Sequence, residues 1–149
     1  PGLEAMISFG GAEAFDTHGN SLRRPNVRVE KRVNQWAALG EADLFVTHHG
    51  LNSTHESIFN RVPMLSYPFF WDQPGLAAKC QALGIARPLS VLPRAPVTVL
   101  AASAAIAGIL ADRATLGRRL DEARRQELEV MAGRAEVLDR IAGIAGGRG

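Results

Sequence analysis

Phe45-Val46-Thr47-His48-His49-Gly50-Leu51-Asn52-Ser53-Thr54-His55-Glu56 is the stretch on which the fold can be read. It opens like the end of a buried strand, passes after Thr47 through a tight polar turn that contains Gly50, and continues as the opening turn of a helix begun near Ser53. A strand that feeds such a turn and then a helix N-terminus points backbone N–H groups and the positive end of the helix dipole outward together. That arrangement binds anions, and a phosphate group is the expected occupant. The same residues allow a purely local reading. Ser53-Thr54-His55-Glu56 has the spacing of a capping box, with Ser53 capping the N–H of Glu56 while the Glu56 side chain reaches back.

Upstream, Ala5-Met6-Ile7-Ser8-Phe9 closed by Gly10-Gly11 has the composition of a buried strand. The segment through Arg24 reads as turn-rich, with Asp16-Thr17-His18 in a surface turn. Val27-Arg28-Val29-Glu30 alternates like a strand covered on one side. Trp36 and Leu39 suit a short helix stopped at Gly40, and Asp43 to Thr47 a strand. Downstream, Pro63 ends the helix that carries Ile58 and Phe59. Met64 to Tyr67 reads as a strand, Pro74 to Gly84 as a helix, and Ile85 to Val91 as the site of a last short strand. Strands and helices alternating at this spacing predict βαβ units and a parallel sheet, an α/β fold.

The uncharged run Ala95 to Ala111 is too short and too rich in alanine for a membrane span and reads as a buried helix. Beyond it, Leu116, Leu120, Leu128 and Met131 form a broken apolar stripe, with a helix break at Gly133 before Val137, Leu138 and Ile141. Arg118-Arg119 and Arg124-Arg125 read as the solvated face of this helix, and Gly146 to Gly149 as a loose tail.

At 149 residues, 46% hydrophobic and 21% charged, the chain has the material for a folded core. A net charge of +2 without any Lys/Arg block argues against nucleic acid as a partner. Cys80, the single cysteine, excludes an internal disulfide and is compatible with a cytoplasmic location. His48, His49 and His55 lack a zinc spacing. The start at Pro1, with no initiator methionine and no signal peptide, suggests a segment of a longer protein.

Four short motifs in order, Val33-Asn34-Gln35, Phe45 to Glu56, Val62-Pro63-Met64 and Asp72-Gln73-Pro74, resemble the signature of the family 1 glycosyltransferases. The resemblance implies a GT-B enzyme, with two Rossmann-like domains across a cleft. The chain is similar to the C-terminal, donor-binding domain, with residues 1–96 as a Rossmann-like core and 97–146 as C-terminal helices. Met6 to Gly10 resembles the second strand of that domain, so a first strand and helix are expected to be missing, along with the N-terminal acceptor domain.

The resemblance also implies roles. His48, Gly50, Asn52, Ser53 and Thr54 would hold the donor diphosphate, Glu56 the ribose, and Asp72 and Gln73 the sugar hydroxyls. Arg32, Val33 and Gln35 would contact the nucleobase, uridine or thymidine. The chain departs from the family at Asn34, where proline is usual, at His49, where glycine or cysteine is common, and at Arg61, where glycine is common. Arg32 takes a place that plant members fill with tryptophan. The implied reaction is metal-free, inverting transfer of a hexosyl group from a UDP- or dTDP-sugar to an acceptor hydroxyl. No cofactor is expected, and the catalytic base would come from the N-terminal domain, leaving this piece inactive alone. Asp72 also suits a helix cap, and Trp71 either walls the sugar or packs. The alternatives are a non-catalytic, glycosyltransferase-like auxiliary module and another GT-B enzyme such as a nucleotide-sugar 2-epimerase.

Overall fold

Every strand pair in the computed structural model, which describes residues 2–90, 92 and 94–146, is parallel, as the alternation of strands and helices predicts. The chain divides into two units, one running to Ala38 and one starting at Leu39.

In the first unit, β1 (Ala5–Ser8) pairs with β2 (Val27–Glu30), Ala5 opposite Val27 and Ser8 opposite Glu30. The connection is not turn-rich. It is a helix, α1 (Ala12–Leu22), which also carries Asp16-Thr17-His18. Hydroxyl residues in a helix compete with it unless their side chains bond back to its own carbonyls. Thr17 Oγ1 donates to the Glu13 carbonyl at 2.9 Å and Ser21 Oγ to that of His18 at 2.7 Å, so the turn-forming tendency is absorbed within the helix. Phe15 of α1 meets Phe9 edge-on, with centroids 6.2 Å apart. The expected buried strand at Ala5–Phe9 is mostly exposed. Among the described residues β1 has β2 as its only strand neighbour, and the buried position of this sheet is Val29 of β2.

Helix α2 (Gln35–Glu41) runs through the division between the units and includes Gly40. Asn34 opens it: its Oδ1 accepts from the Ala37 N–H at 3.2 Å, a cap that proline could not supply.

The second unit is built on β3 (Phe45–Thr47), β4 (Met64–Ser66) and β5 (Ala86–Pro88), in that spatial order. Val91, the far end of the expected last strand, lies outside the described residues. Helix α3 (Leu51–Asn60) joins β3 to β4, and α4 (Gln73–Ala82) joins β4 to β5. Helices α5 (Val99–Ala111) and α6 (Arg113–Gly146) follow.

Successive residues of the central strand face opposite ways, so β4 feeds two cores. Met64 joins Ile58, Cys80, Ile85, Ala86, Leu120 and Ala123. Leu65 joins Ile109 of α5 and Leu116 of α6, with Leu44, Leu89, Ala105 and Ile106 against them. Burial pushes the Cys80 thiol up to about 11, which keeps it protonated and inert at neutral pH.

Helix α3 stops at Arg61, whose left-handed backbone (φ 61°) lets its N–H bond the carbonyls of Ile58 and Ser57. This is a cap conformation that glycine favours. Arg61 holds it while its Nε pairs with Asp121 of α6 at 2.6 Å.

Two expectations for the C-terminal helices fail. Helix α5 is largely exposed, Val99 by 85%. An uncharged run does not require burial, and only the face carrying Ile109 with Ala105 and Ile106 is taken up by the core. Helix α6 passes through Gly133 without a break, because a glycine costs a helix only about 1 kcal/mol. The apolar stripe is buried at Leu116 and Leu120 but exposed at Leu128 and Met131. Arg118, Arg119, Arg124 and Arg125 are all exposed, with Arg125 bridging Glu122 and Glu129. Gly146 ends α6 and the rest of the expected tail lies outside the described residues. Among the described residues no single helix is long and apolar enough to cross a membrane.

Candidate functional site

The C-terminal ends of β3 and β4 lie side by side, Thr47 opposite Ser66, and each strand delivers the chain into a turn and a helix. The carboxyl edge of a parallel sheet is where α/β folds place ligands. After β3 come His48, His49 and Gly50, and then α3. After β4 come Tyr67 to Trp71, and then α4.

Helix α3 begins earlier than the capping box requires. Its N-cap is Gly50, with no side-chain cap, and the Thr54 N–H makes the first helical bond, to the Gly50 carbonyl at 3.0 Å. Ser53 therefore sits inside the first turn and is not the N-cap that the capping-box reading makes it. The local motif loses because the turn at His48 to Gly50 already sets the entry angle. The N–H groups of Leu51 and Asn52 precede that first bond and lie at the open end of the helix, as an anion site needs. Asn52 and Glu56, four apart, share one face of α3, the first exposed and the second half-buried.

His48 is exposed and its ring lies against Gly50. A Cβ built on Gly50 would come 3.0 Å from His48 Nε2, closer than such atoms normally approach. Gly50 itself has an ordinary extended backbone (φ −60°, ψ 144°), so it is needed for space and not for conformation. Gly50→Ala is expected to displace the His48 ring and weaken nucleotide binding about three- to tenfold. Loss of a glycine N-cap should cost under ~1 kcal/mol of stability. Titration beside a thermal melt checks both numbers.

His49, unassigned by the sequence reading, is the most constrained residue here. It is fully buried with φ 63°, a left-handed conformation that costs a residue other than glycine roughly 1 kcal/mol or more. Its Nε2 lies 2.7 Å from Ser66 Oγ at the end of β4, and its Nδ1 3.4 Å from Thr54 Oγ1 of α3. Its N–H donates to Thr47 Oγ1 at 3.1 Å. Burial, and after it the neighbouring His48, pushes the His49 ring down to about 4. The only sequence signal was a histidine standing where the family commonly has glycine or cysteine.

Thr54, a diphosphate candidate, is only 4% exposed, with its hydroxyl toward His49 rather than at the surface. His48, Gly50, Asn52 and Ser53 remain at or near the surface. His55 pairs with Glu127 of α6, Nδ1 to Oε2 at 3.2 Å. Among the described residues no group of His, Cys, Asp or Glu could hold a metal ion.

On the second turn, Asp72 is exposed and stands at the N-cap position of α4, as the helix-cap reading has it, its carbonyl accepting from the Leu76 N–H at 3.0 Å while its side chain makes no cap bond. Gln73 is buried, and its Oε1 accepts from the Phe69 and Phe70 N–H groups at 2.9 and 3.3 Å. Its amide oxygen is thus committed to shaping the loop, and its NH₂ is the group left to a ligand. Trp71 does not pack into the core: it is 89% exposed, stacked edge-on to Phe70 at 4.9 Å. Arg94 fastens this loop, its Nε donating to the Phe69 carbonyl at 2.8 Å.

Arg32, Val33 and Gln35 belong to the first unit, with Gln35 opening α2. A depression of about 300 Å³ is lined by Leu39, Gly40, Ala42, Asn60, Arg61, Pro63, Arg113 and Gly117. Those segments lead into β3 and β4, so it lies at the amino edge of the sheet. Its two arginines are already paired with Asp121 and Asp43.

Residues 14–112 match the family described as UDP-glucoronosyl and UDP-glucosyl transferase, and the chain belongs to that family. Oleandomycin glycosyltransferase of Streptomyces antibioticus is 45% identical over 65 residues, 44% of this chain and 15% of that protein. UDP-glucuronosyltransferase 2B28 of Homo sapiens is 40% identical over 74 residues, 48% of this chain and 14% of that protein. The glycotransferase of kitacinnamycin superposes on 93% of this chain and 42% of its own, with a TM-score of 0.73 and 28% identity. The chain thus spans less than half the length of these proteins, and its fold is that of the glycosyltransferases' parallel-sheet domain.

Proposed function

We propose that this chain binds the nucleotide-sugar donor for glycosyl transfer to an acceptor hydroxyl, as part of a longer enzyme. One observation carries the reading: the exposed His48 ring lies over Gly50 at the mouth of a helix whose first N–H groups point outward. In this reading His48, Gly50, Asn52 and Ser53 hold the diphosphate, Thr54 from beneath by way of His49, Glu56 the ribose hydroxyls, and Asp72 with the Gln73 NH₂ the sugar. Arg32, Val33 and Gln35 are proposed separately as nucleobase contacts, on the family motif alone.

In transfer, the acceptor oxygen attacks the anomeric carbon from the face opposite the leaving group. The bond from that carbon to the β-phosphate oxygen breaks, and the configuration inverts. The acceptor proton passes to a base supplied from outside this chain. Negative charge gathers on the departing diphosphate, where a ring N–H and a helix N-terminus stabilise it without reorganising, usually the largest catalytic contribution. No metal is needed for that role, and the chain by itself binds donor with little or no turnover.

Calorimetric titration with UDP, UDP-glucose and dTDP tests the proposal. Saturable binding of at least one is expected. In Glu56→Gln, which keeps one acceptor oxygen but puts an NH₂ donor in place of the other and removes the charge, affinity should fall several-fold. A flat titration with all three nucleotides would contradict the proposal, and unchanged affinity in Glu56→Gln would remove the ribose assignment.

A further inference from the structure

His49 makes none of the direct donor contacts proposed above and enters only as the link to Thr54, yet more of the turn depends on it than on any other side chain described there. Its backbone takes the left-handed conformation between β3 and α3, and its neighbours on either side are the exposed His48 and the helix cap Gly50. Beneath the turn its ring reaches Ser66 Oγ and Thr54 Oγ1, while its N–H is held by Thr47 Oγ1. One buried residue therefore connects the ends of two strands and the first turns of the helix. A glycine would adopt the same backbone freely but would leave those three elements unconnected.

The chemistry of the contacts fits a fixed neutral ring. A neutral imidazole has one donor and one acceptor nitrogen, and serine and threonine hydroxyls can answer either. Burial keeps the proton count of the ring constant near neutrality, so His49 contributes geometry to the anion site and no charge.

We propose that His49 is a positioning residue for donor binding: by bridging Ser66 and Thr54 it fixes the 48–50 turn and the start of α3 in the geometry that receives the diphosphate. The proposal rests on the reading of this turn as the diphosphate site. It makes Ser66, at a strand end outside the family motif used above, a determinant of nucleotide affinity through His49.

The test compares wild type with His49→Gly, Ser66→Ala and the double variant, at a temperature where each is folded by circular dichroism. UDP affinity is measured by titration, and hydrogen exchange is followed at residues 48–54. The expected result is a roughly tenfold weaker UDP affinity in either single variant, with no further loss in the double, as for groups acting through one contact. Exchange should quicken at 48–54 and stay unchanged in β4 and β5. A role confined to holding up the fold would lower the melting temperature and leave the UDP affinity of the folded variants at the wild-type value, which would overturn the proposal. Should His49→Gly fail to fold, Ser66→Ala carries both readouts. If wild type itself binds no UDP, the diphosphate reading fails and the donor role falls with it, while exchange still decides whether His49 holds the turn.

Discussion

His48→Ala is expected to weaken UDP binding by roughly 10- to 100-fold, with the melting temperature within a few degrees of wild type. A hydrogen bond to a charged group is worth about 1.5–3 kcal/mol, which sets the range. Because His48 is exposed and lies outside both cores, its removal takes away little packing. His48→Gln, which keeps an N–H donor on a longer side chain, should recover part of the loss. Isothermal titration on all three proteins decides it: equal affinities would remove His48 from the site, and a large fall in melting temperature would make it structural.

The protein is expected to lose up to about 3 kcal/mol of stability as the pH falls from 6.5 toward 4. The sign follows from His49. Its folded value, about 4, lies below the ordinary 6.5, so between those values the unfolded chain binds the proton and the folded chain does not. The stability is therefore complete above about 6.5 and is lost as acid approaches 4. Protonation would place a charge between Ser66 and Thr54, where the buried ring has no carboxylate paired to it among the described residues. Melting temperatures between pH 7 and 4.5, above the range where most carboxylates titrate, give the measurement. His49→Gly should flatten this limb, and an equally steep limb in that variant would assign the acid sensitivity elsewhere.

The sequence was most legible where chemistry is local. Gly50 before a helix, Pro63 after one and the run Met64-Leu65-Ser66 each dictate their surroundings through backbone geometry or apolar content, and the strand, turn and helix around His48 followed from them. What escaped depended on distant partners. The start of α3 moved to Leu51 because the preceding turn, fastened to Ser66 of the next strand, overrode a good local capping box. His49 was invisible as a tether for the same reason, since Ser66 lies 17 residues further on. Helix α1 was hidden by Thr17 and Ser21, whose bonding back to helix carbonyls cannot be inferred from composition. Of the site, the surface set of His48, Gly50 and Asn52 could be placed by pattern. The burial of Thr54 and the engagement of the Gln73 oxygen depended on packing.

The most direct measurement is backbone amide NMR of this chain during titration with UDP. The largest shifts should fall on Gly50, Leu51 and Asn52, where the N–H groups at the open end of α3 would meet the diphosphate, and His48→Ala should diminish them. Shifts centred instead on Leu39 to Ala42, Arg61 and Arg113, around the depression at the opposite edge of the sheet, would contradict the account.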